Sequence, residues 1–174
     1  AHYNLGMIAS MKKWVKFARD EYTTALWRTP NNPLLRYAVG SLHSLNYNYQ
    51  GAIKSFESVL KSEPRFLYIH KVLGDAYQKQ KNLDQAVEAY QQYLQHIPED
   101  ASVRIVLGIV YEQQGKQDNA IAEYKQSIAI NPDNPLACNQ LAWIYAEQET
   151  QLDEALELAQ KASSLSPSPG IIDT

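Results

Sequence analysis

Apolar and polar residues along this chain alternate with a helical period, in blocks of similar length. Leu73, Gly74 and Tyr77 share one helix face, and Ala86, Tyr90 and Tyr93 share another, by the 3.6-residue turn. The polar stretch QKQKNL separates the two blocks, and QQGKQD separates the next pair. Such short polar links predict two antiparallel helices joined by a tight turn.

The pair of blocks recurs every 34 residues. Gly6 leads to Gly40, Gly74 and Gly108, and then to Ala142. Ala18 leads to Ala52, Ala86 and Ala120, with Ala155 one residue late. Tyr22 leads to Phe56, Tyr90 and Tyr124, and Pro30 leads to Pro64, Pro98 and Pro132, with Pro167 again one late. The lag marks one inserted residue in QETQ, between Tyr145 and Ala155. A fixed period of this length is the mark of a stacked repeat. Gly and Ala stand where two helix axes approach closely, and a larger side chain there would overpack at about 1–3 kcal/mol. The aromatic at Tyr22, Phe56, Tyr90 and Tyr124 fills the space they leave. Each proline ends a second helix, because proline cannot continue one. In NPDNP, Asn134 suits an N-cap and Pro135 the first helical turn.

The residues LGxxY at Leu73–Tyr77 and Leu107–Tyr111, followed by Ala86, Tyr90, Pro98 and Ala120, Tyr124, Pro132, resemble the tetratricopeptide repeat. The resemblance implies an all-α fold, a right-handed superhelical solenoid of stacked antiparallel helix pairs. It runs over five units, 1–32, 33–66, 67–100, 101–134 and 135–169, with 170–174 as the start of a further one. The third and fourth units match best. The first has Ala9 and the second His43 where tyrosine is usual, and the fifth has Ala142 for glycine and Ala159 for the aromatic. Solenoids need polar terminal caps. Neither end of this sequence offers one, so the expectation is a segment of a longer repeat protein.

Composition changes this picture little. At 45% apolar and 20% charged residues, the chain is globular. No apolar run reaches the roughly 18 residues of a membrane span, so direct membrane insertion is not expected. The single cysteine, Cys138, excludes an internal disulfide framework. It lies in a first helix, where a buried small hydrophobe is the reading. The N-terminal AHYNLGMIASMKKW is not a secretory signal, since its charges follow the apolar part. The compartment stays open between cytoplasm and bacterial periplasm.

Enzyme chemistry is not expected. His2, His43, His70 and His96 lack metal-ligand spacing, and Asp153, Glu154 and Glu157 read as a solvated helix face. The glycines sit at helix crossings and form no phosphate loop. No cofactor is implied.

By the resemblance, the first helices line a concave groove for a protein or peptide partner. One row along it is Tyr3, Tyr37, Lys71, Ile105 and Asn139; a second is Met7, Ser41, Asp75, Ile109 and Trp143; a third holds Leu34, Tyr68, Ser102 and Leu136. Six of the twelve tyrosines fill packing places of the motif, whereas Tyr3, Tyr37 and Tyr68 fall in these rows. Some family members grip acidic chaperone tails with a carboxylate clamp of lysines and asparagines. Here Lys71 is offered, but Asp75, Val106, Leu136 and Gln140 occupy the other places, and Asp75 would repel a carboxylate.

Charge is unevenly spread. Residues 1–66 carry 9 basic and 4 acidic side chains, while 67–174 carry 7 and 15. Lys12, Lys13, Lys16 and Arg19 gather in the first unit. Opposite poles would steer an acidic partner, or head-to-tail association of copies. A net charge of −3 argues against nucleic acid, which calls for a long basic stripe. The expected function is a protein–protein interaction scaffold. NQLAWIYAEQETQLDEALELAQKA resembles bacterial members. The alternatives are a regulatory or substrate-recruiting domain of a larger enzyme, such as a glycosyltransferase, and a self-assembling structural solenoid.

Overall fold

The structure is a computed structural model and describes residues 15–165. These residues hold nine helices and no strand, and divide into two compact units between His96 and Ile97. The first unit contains α1 (Val15–Arg28), α2 (Pro33–Leu45), α3 (Tyr49–Ser62), α4 (Tyr68–Lys79) and α5 (Leu83–His96). The second contains α6 (Ala101–Gln113), α7 (Gln117–Ile130), α8 (Pro135–Glu147) and α9 (Leu152–Leu165). In the first unit α2 pairs with α3 and α4 with α5, and α1 and α3 pack on α2 and α4. In the second, α6 pairs with α7, α8 with α9, and α7 packs on α8.

The starts of these helices follow from short polar side chains. Asn32 accepts the N–H groups of Leu34 and Leu35, Asp100 those of Ser102 and Val103, and Asn134 those of Leu136 and Ala137. Pro33 and Pro135 follow two of these caps, where a missing N–H costs nothing. The fourth member of that 34-residue series is Phe66, which cannot cap, and α4 begins without a side-chain cap.

The hairpin turns are closed by the backbone. Tyr47, Lys81, Gly115 and Glu149 have φ of 58°, 62°, 73° and 53°. Each precedes a residue whose N–H reaches back five places: Asn48 to the His43 carbonyl, Asn82 to Tyr77, Lys116 to Tyr111 and Thr150 to Tyr145, at 2.8–2.9 Å. This left-handed stop satisfies the last carbonyls of the first helix and reverses the chain.

Between paired helices the small and large residues meet. A Cβ built on Gly40, Gly74 or Gly108 would fall 2.5, 2.6 or 2.5 Å from the ring of Phe56, Tyr90 or Tyr124. Those rings are buried, as are Ala52, Ala86 and Ala120 beside them. Burial of each ring contributes about 1.5–3 kcal/mol. The Tyr90 hydroxyl donates to Asp75 Oδ1 at 2.7 Å, and that of Tyr124 donates to Glu112, so neither phenol pays for its burial with a lost hydrogen bond.

One place in the first helix braces the loop before it. Arg36 Nε donates to the Pro30 carbonyl at 3.0 Å, and Arg104 Nε to that of Pro98 at 3.0 Å. Cys138, in the same register, is fully buried, with Sγ 3.8 Å from the Pro132 carbonyl. Burial pushes its thiol pKa up, which suits packing and not reactivity.

Candidate functional site

The first unit carries an aromatic face on α2 and α4. Tyr37, on α2, is half-buried, and its ring centroid lies 5.9 Å from Phe56, 5.8 Å from Phe66 and 6.4 Å from Tyr68. Tyr68 stands edge-on to it at the start of α4 and remains 43% exposed. Lys71, one turn on, holds Nζ 5.8 Å from the Tyr68 ring centroid, a cation–π contact. Leu34, one turn before Tyr37, is 53% exposed. Burial raises the Tyr37 pKa, a hydrogen bond with Ser41 opposes this, and Tyr68 adds to it. Ser41 also donates from Oγ to the Tyr37 carbonyl at 3.0 Å. The result is an apolar surface with one cation at its rim.

The expected groove residues do not all behave alike. Leu34, Tyr37, Tyr68 and Lys71 come together. Asp75 is exposed but already accepts the Tyr90 hydroxyl. In the second unit Leu136, Asn139 and Trp143 are exposed on α8, with Trp143 at 68%. Beside Trp143 opens a cavity of about 340 Å³, lined by Ala142, Ala155, Leu156 and Ala159 among others. It lies where the other pairs place an aromatic ring on a glycine. Ile105 is buried at 3% and belongs to the core of the second unit, so it offers a partner no surface; Ile109 is half-buried. Helix α6 has apolar residues on most of its circumference, and its period does not separate the two faces. Tyr3 and Met7 lie outside the described residues.

Phe66 completes the aromatic face, yet periodicity gives no direct sign of it. The signal available is a broken series: Asn32, Asp100 and Asn134 cap helices, and Phe66 stands in their place. Among the described residues no three His, Cys, Asp or Glu side chains are placed to hold a metal ion. Within the same residues, no helix is long and apolar enough to cross a membrane.

A tetratricopeptide-repeat family model matches residues 46–95 and 71–135, and a second one matches 136–169. Among solved structures, MamA is similar at 24% identity and a TM-score of 0.86, over 92% of this chain and 94% of that one. MamA from Desulfovibrio magneticus RS-1, from its residue 41 onward, is similar at 19% identity and 0.87, over 94% and 92%. YrrB, described as a protein of this repeat type with an unusual peptide-binding site, is similar at 21% identity and 0.80, over 97% and 86%. At these identities the likeness concerns the fold alone. No curated protein matches the chain in sequence.

Proposed function

Since the chain belongs to the tetratricopeptide-repeat family, we propose that it is a protein-interaction scaffold that receives a partner peptide on the α2–α4 face. The observation that carries this is the group Leu34, Tyr37, Tyr68 and Lys71. Helices α3 and α5 flank α4, and α1 and α3 flank α2. The exposure of Tyr68 and Leu34 is therefore not the raw end of a stack. Tyr supplies broad contact area at little entropic cost. Lys71 gives the bound segment a preferred acidic neighbour. Leu136 and Trp143, with the amide of Asn139 on the same helix, offer a second exposed surface on α8, open to the same kind of ligand. The description of YrrB as peptide-binding agrees with this reading.

Selection of a random peptide library on the intact chain tests it. Enriched peptides should carry apolar residues beside an acidic one. Tyr68→Ala should weaken them about tenfold, as interface anchors do, with helicity by circular dichroism unchanged. Peptides that bind Tyr68→Ala and the parent equally, or no enrichment at all, would remove the site.

A further inference from the structure

At the place where α4, α6 and α8 bury Tyr77, Tyr111 and Tyr145, α2 carries His43. The imidazole is shorter than a phenol, and a cavity of about 270 Å³ lies beside it, between α1 and the α2–α3 turn. Lys16, Arg19, His43, Asn46 and Asn48 line it over a floor of Val39 and Leu42. On the same edge elsewhere, side-chain amides bridge neighbouring pairs: Gln80 Nε2 donates to Gln50 Oε1, and Gln148 Nε2 to Gln117 Oε1, both at 2.9 Å. In the 34-residue register, Asn46 and Lys16 take the places of Gln80 and Gln50. A neutral bridge is thus replaced by a cation beside an open pocket.

The side chains of Asn48 and His43 are held in defined orientations. Asn48 Oδ1 accepts the Gly51 N–H at 3.0 Å, so its Nδ2 faces His43 Nδ1 at 3.1 Å. That amide can only donate, so Nδ1 accepts and the imidazole proton sits on Nε2. A Cβ on Gly51 would fall 2.7 Å from Asn48 Nδ2 and 2.9 Å from His43 Cγ, so glycine permits the contact. Burial, and then the charge of Arg19, lower the His43 pKa, which agrees with a positive local field. Asp20 Oδ1 lies 3.6 Å from Arg19 Nε and faces one edge of a guanidinium that has further donors. No Asp or Glu is among the described residues that line the pocket.

We propose that this pocket binds an oxyanion, a phosphate or carboxylate group, between Lys16, Arg19 and the His43 edge. Two cations and neutral donors around a cavity match an anion, and charge-assisted hydrogen bonds to it are the strong kind. The site does not depend on the aromatic face. The test is an NMR titration of the imidazole signals at constant ionic strength. Inorganic phosphate and acetate replace chloride in separate arms, which distinguish phosphate from carboxylate preference. The expected result is a saturable shift of the His43 signal in at least one arm, with His70 and His96 unmoved. Lys16→Ala with Arg19→Ala should weaken it at least about tenfold, the scale of two charge-assisted contacts. Both side chains are exposed, and circular dichroism checks that this variant keeps its fold. A His43 signal that fails to saturate in both arms, one that shifts equally in the variant, or one matched by His70 and His96 overturns the proposal.

Discussion

Gly74 shows how one residue sets the spacing of a helix pair. Alanine is the better helix former by about 1 kcal/mol. Its methyl at this place would lie 2.6 Å from the Tyr90 ring, and the hydroxyl bond to Asp75 resists any shift of that ring. Overpacking of about 1–3 kcal/mol outweighs the propensity gain. Gly74→Ala should therefore lower the urea midpoint; a higher midpoint would show that the ring yields. A second residue-scale effect involves histidine. His43 and His70 both have folded-state pKa values below 6.5, His70 through burial and then the charge of His96. Protonation then favours the unfolded chain, so their contribution is complete above pH about 6.5 and declines as pH falls below it. The urea midpoint should fall between about pH 7 and pH 5, and His70→Gln should flatten part of that fall. An identical slope in the variant would exclude His70 as a source.

At the scale of the element, the hairpin turn is the informative feature. Each of the four turns places a left-handed residue before the returning N–H, and the α8–α9 turn has a second at Gln151, but only the α6–α7 turn supplies glycine, at Gly115. A side chain in that conformation costs about 1–2 kcal/mol. Gly115→Ala should destabilise by about 1 kcal/mol, although a Cβ there meets no neighbour, and Lys81→Gly should stabilise by somewhat less, because glycine is also freer in the unfolded chain. Thermal unfolding of the two variants should move in opposite directions; movement in one direction would point to packing instead. QQGKQD announces this turn in its glycine. In QKQKNL nothing marks Lys81, which takes the same φ only because the helices on either side must pair. The caps divide similarly: Asn134 and Pro135 are plain in the sequence, whereas Phe66 gives up a cap for ring contacts with Tyr37 that no local pattern encodes.

For the whole molecule, charge is the property the sequence states most directly. The first 66 residues are basic on balance and the remainder acidic. Were copies to associate through opposite poles, light scattering at low ionic strength should show mass rising with concentration and falling as salt screens the attraction. A monomer that salt leaves unchanged would remove head-to-tail association. The peptide face and the His43 pocket both lie in the first unit, at separate places. The pocket could be found only once α1 and the α2–α3 turn were seen together. In the sequence, His43 is just a departure from tyrosine.

The sequence by itself determined the helices, their pairing by 34-residue steps and the ring that fills the α2–α3, α4–α5 and α6–α7 pairs, because these depend on neighbours within one helical hairpin. Tertiary structure decided which residues of the first helices remain available. Ile105 and Tyr68 both belong to the expected rows, yet one is core and the other surface. That outcome depends on how far the adjacent helices cover each face, and interhelical geometry is a property of several segments at once, which no single period records.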